Sequence, residues 1–126
     1  MQFFIELTIL LIILLKIKIN IKIIKKQMVV VIPITLIATV RVKNGSMEKA
    51  IEALKEVVPK IKESEPGCLQ YIPHTIKGEE NSIIFYEVYA DSDALKQHNK
   101  NLGKNMAKLG PLLEPGIDVK KCHEIV

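Results

Sequence analysis

His98 is the residue of this chain whose type and setting most directly suggest chemistry. It interrupts an apolar stripe with spacings of three and four residues, made of Leu95, Leu102, Met106 and Leu109. Such spacing is typical of one face of a helix. A neutral imidazole can accept a proton near physiological pH. His98 is therefore either a proton-transfer group in a buried site or a core histidine that bonds a backbone carbonyl or Glu87.

Glu87 and Tyr89 lie two residues apart on a strand-like segment, so their side chains share one face. If that face meets the helices, the Glu87 carboxylate needs a partner. We expect that partner to be His98, or else a lysine or Arg41 on a neighbouring strand. Tyr89 could donate a hydrogen bond to a substrate oxygen. The expected pocket walls, which also suit an ordinary core, are Tyr71, Phe85, Leu102 and Met106.

Two strands and a tight turn precede the His98 helix. Residues 68–77 and 82–90 are rich in β-branched and aromatic side chains, and residues 78–81 separate them. This pattern predicts a hairpin. Strand parity does not decide which face Tyr71 takes. Asp91 and its neighbours offer cap oxygens for the helix, and the pattern leaves open whether the helix continues past Gly103.

A first strand and helix complete the predicted domain. The strand covers residues 29–42, with even-numbered apolar side chains from Ile34 onwards on one face. Ser46 can cap the following helix. Pro59 lies inside this helix and should lower its stability by about 3 kcal/mol or force a kink. Glycine and proline at residues 110–111 and 114–116 should end the preceding helix, and a last strand is predicted at residues 117–126.

The order strand, helix, strand, strand, helix, strand predicts an α+β fold. With right-handed crossovers it gives a ferredoxin-like βαββαβ sheet with both helices on one face and the first and third strands at the centre. Ile84, Tyr86 and Val88 would then be apolar on the uncovered face, and such patches usually mark interfaces. We predict a homodimer in which the two uncovered sheet faces pack against each other. The alternative is a monomer whose uncovered sheet face is apolar.

The first 27 residues differ in composition from the rest. Seventeen are apolar, and nine of these are isoleucines. The apolar run that ends before Lys16 is shorter than the roughly 20 residues of a membrane span. We expect residues 1–27 to be an extension outside the fold, with translation starting at Met28 and the domain at residues 28–126. The alternatives are a membrane-surface tether, which would be the only membrane contact, and a poorly ordered extra strand.

The charge distribution argues against a nucleic-acid partner. Residues 1–27 contain five lysines and one glutamate, which account for the whole net charge of +4. Residues 28–126 are formally neutral and include a single arginine. A domain without a basic face lacks the electrostatic footprint of nucleic-acid binding.

The cysteines and histidines suggest neither a disulfide nor a metal site. Cys68 and Cys122 fall on the two edge strands, about 14 Å apart, whereas a disulfide needs Cα atoms within about 7 Å. We expect reduced thiols in a cytoplasmic protein. His74, His123 and Glu124 do not have the spacing of metal ligands, so no metal is predicted.

An ordered set of short motifs resembles the antibiotic biosynthesis monooxygenase family, most closely its small quinol-monooxygenase-like members. The set is Glu65-Pro66-Gly67-Cys68, Phe85-Tyr86-Glu87-Val88-Tyr89, Asp91, Ala94-Leu95 and His98, and the likeness runs from about Ile34 to the C-terminus. The resemblance implies a dimeric α+β barrel. Three positions depart from the family: Tyr89 stands where Trp is frequent, Gly103 where some members have a second histidine, and Ala38 where the haem-degrading branch has Asn.

The resemblance also implies oxidation of a small aromatic or quinol-like substrate by O₂ without flavin, haem or metal, hence no cofactor. Phenolates and enolates can give O₂ an electron, so such a site needs a base, an apolar pocket and a donor for the anion. His98 would be the base, with Glu87 and Tyr89 supporting it. Two alternatives stay open: a non-catalytic barrel that binds a small ligand, as in stress response, and a proton-transfer isomerase.

Overall fold

The computed structural model describes residues 1–27 and 31–126, which divide into two compact units, Met1–Val31 and Ile32–Val126. The first unit contains the helix α1 (Gln2–Gln27), and the side chains of residues 1–24 are all exposed. The alternative of an extra strand is therefore wrong. No helix in the described part of the chain is long and apolar enough to cross a membrane. The predicted start at Met28 lies outside the described residues.

The second unit has the predicted βαββαβ order, which confirms the fold class. Its elements are β1 (Ile34–Val42), α2 (Met47–Ser64), β2 (Cys68–Ile76), β3 (Glu79–Tyr89), α3 (Ser92–Asn105), a one-turn 3₁₀ helix (Gly110–Leu112) and β4 (Leu113–Cys122). The strands form one antiparallel sheet in the order β2, β3, β1, β4. The first and third strands are central, as expected.

One face of the sheet carries the core, and we call it the helix face. Ala38 of β1 pairs with Phe85 of β3, and Val40 pairs with Ile83, so even positions on β1 and odd positions on β3 share it. Both α2 and α3 contact this part of the sheet. Their buried side chains include Leu54 of α2 and His98 of α3. The opposite side of the sheet is called the outer face below.

The β2–β3 hairpin is tighter than the composition predicts. Glu79 pairs with Ile76, so only Lys77 and Gly78 remain in the loop. Gly78 has a φ of 85°, which glycine adopts without steric cost. The polar residues 79–81, expected in the turn, instead form the start of β3. Their polarity reflects an exposed strand end rather than a loop.

β4 begins and ends earlier than the predicted residues 117–126. It passes through Pro115 and Gly116, where a break was expected, because an edge strand tolerates a proline that cannot donate a hydrogen bond. The pairing with β1 shifts register between Val40 and Val42, and Gly116 has a φ of 101°. β1 itself begins at Ile34; Val29 and Val30 of its predicted range lie outside the described residues.

The two helices of this unit begin where the sequence predicts. The Asp91 side chain accepts a hydrogen bond from the Ala94 N–H at 2.8 Å and caps α3. Ser46 precedes α2 but forms no side-chain cap bond. α2 continues through Pro59, whose side of the helix is exposed, and α3 continues through Gly103 to Asn105.

Gly67 determines how closely the α2–β2 connection approaches α3. A Cβ atom at Gly67 would lie 2.6 Å from the Cβ atom of Ala94. The N–H of Ala90 donates to the Gly67 carbonyl oxygen at 2.8 Å. The loop after α2 is therefore held directly against the first turn of α3, and only glycine fits at the point of contact.

Gly67→Ala should lower the free energy of unfolding by about 1–3 kcal/mol, because the added methyl group overlaps Ala94. Urea unfolding of both proteins measures the difference. Gly103→Ala is the matched control: a Cβ there meets no atom within 4 Å, and alanine is the better helix former by up to about 1 kcal/mol. Equal loss of stability in both variants would contradict the packing argument.

Candidate functional site

A cleft of about 990 Å³ lies between the helix face of the sheet and α3. Ligand sites usually measure roughly 300–1,000 Å³, so this cleft is large enough for a small aromatic molecule. All four strands, α3 and the α3–β4 connection contribute to its wall. Lining side chains include Leu36, Ala38, Tyr71, Phe85, Glu87, His98, Leu102, Met106, Ile117 and Val119.

His98 has a different partner from the one expected. Its Nδ1 lies 3.1 Å from Oε1 of Glu65, not against Glu87. Glu65 follows α2 directly, and its backbone N–H still donates to Ile61 O of the last turn. Asn105 Nδ2 donates to the other carboxylate oxygen at 3.3 Å. The His98 and Glu65 side chains are 4% and 2% exposed, so the pair is shielded from water.

This pairing orients the imidazole of His98. When the Glu65 carboxylate accepts this bond, the ring proton sits on Nδ1 and Nε2 is an acceptor. Among residues 1–27 and 31–126, no group forms a hydrogen bond with Nε2. Every completely buried side-chain nitrogen or oxygen in this range does have a partner. Nε2 is therefore not completely buried, and His98 belongs to the cleft wall. A carboxylate behind the ring would stabilise the charge that the ring gains with a proton.

Glu87 is buried in the cleft wall and is hydrogen-bonded to Tyr89. The Tyr89 hydroxyl donates to Oε2 of Glu87 at 2.6 Å. The predicted partners of this carboxylate were His98 or, alternatively, a lysine or Arg41, and Tyr89 takes their place. Burial raises the pKa of Glu87, and this effect is partly offset by the Tyr89 hydroxyl and by nearby His98. The neutral acid is thus more populated than for an exposed glutamate.

Tyr71 faces the cleft. Strand pairing places it opposite Glu87 on the helix face, and its ring centroid is 5.2 Å from that of His98. Tyr71 is 2% exposed, and no described residue hydrogen-bonds its hydroxyl. Burial, and then the charge of Glu87, raises the pKa of Tyr71 above its ordinary range. The hydroxyl stays protonated and can donate to a ligand.

Tyr89 lies behind the cleft wall rather than in it. It is fully buried, its ring centroid is 5.1 Å from that of His98, and its hydroxyl is engaged by Glu87. Burial, and then the bond to Glu87, raises the pKa of Tyr89. The expected bond from Tyr89 to a substrate is therefore not available, and Tyr71 has the free hydroxyl instead. Phe85, Leu102 and Met106 all line the cleft.

The structure offers little sign of metal or thiol chemistry near the cleft. The described residues contain no group of three or more His, Cys, Asp or Glu side chains that could hold a metal ion. Cys68 and Cys122 are both free thiols in this part of the chain. Burial, and then the charges of Glu65 and Glu87, raises the pKa of Cys68 to about 11, so this thiol is protonated at neutral pH.

Two site residues, Glu65 and Asn105, were missed by reasoning from the sequence. Glu65 belongs to a motif that was noticed, but a glutamate between an exposed helix end and a Pro-Gly pair looks like a solvated charge. Asn105 lies on the same face of α3 as His98, seven residues further along, but its polar side chain was left out of the apolar stripe. The available signal was the buried imidazole itself, because a buried histidine needs an acceptor from a neighbouring element.

Comparisons with known proteins point to one family. The family model described as antibiotic biosynthesis monooxygenase matches residues 33–103. A Caulobacter crescentus crystal structure that is provisionally named as such a monooxygenase is 27% identical, with a TM-score of 0.67, over 75% of this chain and 91% of that one. A conserved Bacteroides thetaiotaomicron protein of unknown function is 26% identical, with a TM-score of 0.62, over 71% and 95%.

A curated relative adds no known activity. An uncharacterised protein of Synechocystis is 35% identical over 66 residues, which are 52% of this chain. The matched part spans 44% of that relative, less than half of its length.

Glu87→Gln should change the pH dependence of stability. The folded-state pKa of Glu87 is raised above 4.5, so the folded chain binds this proton more tightly than the unfolded chain does. Its contribution to stability is complete below about pH 4.5 and is lost as the pH rises through the folded-state pKa. Glutamine stays neutral, so the variant should gain stability relative to the wild type from acidic to neutral pH.

Urea unfolding at a series of pH values measures this gain. Glu80→Gln is the control, because Glu80 is on the same strand but exposed. If the stability difference between Glu87→Gln and the wild type is the same at every pH, the raised pKa is wrong.

Proposed function

This chain belongs to the antibiotic biosynthesis monooxygenase family, and we propose that it oxidises a small aromatic or quinol-like substrate with O₂ and without a cofactor. The observation that carries the proposal is that His98, whose Nε2 has no hydrogen-bond partner among the described residues, lines a largely apolar cleft. Such a site can remove a proton from a phenol or an activated CH₂ group, which is the step that makes an organic molecule reactive towards O₂.

His98 is the proposed base. Nε2 accepts the substrate proton while Nδ1 keeps its hydrogen bond to Glu65. Glu65 then faces a positively charged ring rather than a neutral one, and the ion pair forms without any movement of either side chain. General bases of this kind typically contribute about 10²- to 10⁴-fold to the rate.

Tyr71 is the proposed donor to the substrate oxygen. Its hydroxyl is protonated, is free of other partners among the described residues and lies next to His98. A hydrogen bond from this hydroxyl would stabilise the negative charge that develops as the proton leaves. Tyr89 supports this arrangement indirectly, since it holds Glu87 in place. Phe85, Leu102 and Met106 would contact the aromatic ring.

The oxidation itself needs only the substrate anion and O₂. The anion transfers one electron to O₂, and the resulting substrate radical and superoxide combine to a peroxide. Loss of water from the peroxide leaves a carbonyl group. An activated CH₂ group thus becomes C=O, and one O₂ supplies the carbonyl oxygen and the oxygen of the released water. Imidazolium returns the proton during the loss of water.

His98→Gln should lower O₂ uptake with hydroquinones and anthrones by about 10²- to 10⁴-fold, because glutamine can still donate to Glu65 but cannot take a proton. An oxygen electrode measures the rate, and circular dichroism checks that the variant is folded. His74→Gln is the matched control, since His74 is exposed and outside this cleft.

Three other outcomes would contradict the proposed function or its mechanism. Unchanged uptake in His98→Gln would remove His98 from the mechanism. No uptake by the wild type on any substrate would favour the non-catalytic barrel. Substrate isomerisation without O₂ consumption would favour the isomerase.

We also propose that two copies pack through the outer faces of their sheets. Across this face, Ile72 pairs with Tyr86 and Tyr86 with Ile37. Ile84 and Val88 flank this row, and Tyr86 remains 40% exposed in the single chain. The rim is polar, with Gln70, Thr39 and Lys120 among its residues. An apolar centre with a polar rim is typical of a protein interface.

Ile84→Asp should convert a dimer of twice 14.2 kDa to a monomer, because it places a buried charge within the apolar patch, next to Tyr86. Sedimentation equilibrium measures the mass. Ile125→Asp is the control, because Ile125 is 96% exposed near the C-terminus. A dimer that persists in Ile84→Asp would place the interface elsewhere.

A further inference from the structure

Glu87 has one carboxyl oxygen without a partner. The Tyr89 hydroxyl donates to Oε2 of Glu87, but no described residue forms a hydrogen bond with Oε1. Every completely buried side-chain oxygen of the described residues does have a partner, so Oε1 is not completely buried. Glu87 lines the cleft, although the residue is only 8% exposed. Oε1 is therefore the atom of Glu87 that a molecule in the cleft can reach.

The surroundings of Glu87 favour a neutral carboxyl group. Burial raises the pKa of Glu87, and within residues 1–27 and 31–126 this residue forms no ion pair. Because Oε2 accepts the bond from Tyr89, the proton of the neutral acid sits on Oε1. The neutral acid thus carries its proton on the oxygen that borders the cleft.

His98 and Glu87 influence each other across the cleft wall. His98 projects from α3 and Glu87 from β3, and both line the cleft. Tyr71, which is opposite Glu87 in the sheet, packs against the His98 ring. Burial is the main influence on the Glu87 pKa and raises it, whereas a positive charge on His98 lowers it. Glu87 therefore becomes a stronger acid once His98 has taken a proton from a substrate.

We propose that Glu87 is a second proton-transfer residue of this cleft, which first protonates the substrate peroxide and then removes the remaining C–H proton from the same carbon. The inference rests on the proposed monooxygenase function and deepens it, because it assigns the steps between the peroxide and the carbonyl group. Tyr89 is then a positioning residue, since it holds the carboxyl group by the oxygen that does not react.

The proton transfers balance around two residues. His98 takes the first proton of the CH₂ group, and O₂ adds to the carbon to give a peroxide anion. Glu87 gives its proton to the outer oxygen of this anion and becomes a carboxylate. The carboxylate then takes the second C–H proton, and the electron pair of that bond forms the C=O bond as the O–O bond breaks. The imidazolium protonates the departing hydroxide, so both residues regain their starting protonation states.

His98 alone does not complete these transfers. Loss of water from a hydroperoxide requires a base at the carbon and an acid at the outer oxygen. After the first step His98 carries a proton, so it can serve only as the acid. The base must be a second group. Of the two carboxyl groups in the described part of the cleft wall, Glu87 is buried and Glu114 is exposed.

Anthrone tests this role, because oxidation of its CH₂ group gives anthraquinone. In Glu87→Gln, glutamine still accepts the Tyr89 bond but transfers no proton, so His98 returns its proton to the peroxide anion and the hydroperoxide leaves. We expect the full-length variant to take up O₂ within about threefold of the wild-type rate, to form anthraquinone about 10²-fold more slowly and to accumulate hydroperoxide. An oxygen electrode measures uptake. Iodide titration and absorbance of acid-quenched samples measure the two products.

Two further variants separate proton transfer from hydrogen bonding. Glu87→Asp keeps a carboxyl group and should form anthraquinone at least about tenfold faster than Glu87→Gln. Glu80→Gln changes an exposed acid on the same strand and should match the wild type. The proposal is overturned if Glu87→Gln forms anthraquinone as fast as the wild type. Equal release of hydroperoxide by Glu87→Gln and Glu87→Asp also overturns it.

The failure of the proposed function would look different. A wild-type chain that consumes no O₂ with anthrone or any hydroquinone is not the proposed monooxygenase, and the role of Glu87 falls with that function. A chain whose O₂ uptake requires His98, but which forms anthraquinone equally well as Glu87→Gln, remains a monooxygenase and loses only the role of Glu87.

Discussion

The buried hydrogen bond between Glu65 and His98 is the interaction on which the arrangement of the cleft depends. It joins the end of α2 to the middle of α3, and Asn105 satisfies the second carboxylate oxygen. Loss of one member of such a pair typically costs about 3–5 kcal/mol, because the other is left buried without a partner. The close contact at Gly67 brings the two elements near enough for the bond to form. The contact of Gly67 with Ala94 and the hydrogen bond between His98 and Glu65 therefore occur at the same junction between α2 and α3.

Much of the fold could be predicted from the sequence because its signals are local. Alternation along β1 and β3, the helical period of α2 and the capping Asp91 each depend on a few neighbouring residues. The boundaries that were wrong depend on position in the sheet. Pro115 and Gly116 look like a break, yet at an edge strand no partner requires their hydrogen bonds. The polar start of β3 looks like a turn because exposed strand ends and loops have the same composition.

The candidate site was predictable in its members but not in its pairings. The stripe on α3 and the face of β3 identified His98 and Glu87, since periodicity shows which side of an element a residue takes. It does not show which neighbour a side chain meets across elements, so Glu87 was paired with His98 rather than with Tyr89. The face of Tyr71 was undecidable for another reason. The register of β2 shifts between Cys68 and Gln70, and such an irregularity reverses the parity of the strand.

One consequence concerns how a ligand reaches this interior. β4 forms one wall of the cleft, and it is paired on one side only, to β1, with an irregularity near Gly116. Edge segments with exposed backbone bonds open locally at a lower free-energy cost than the centre of a sheet. His98 and Glu65 lie away from this edge, with the ring of His98 packed against Tyr71 of β2 and Tyr89 of β3. Local opening of β4 therefore leaves the hydrogen bond between His98 and Glu65 in place, so the cleft can widen without unfolding of the domain.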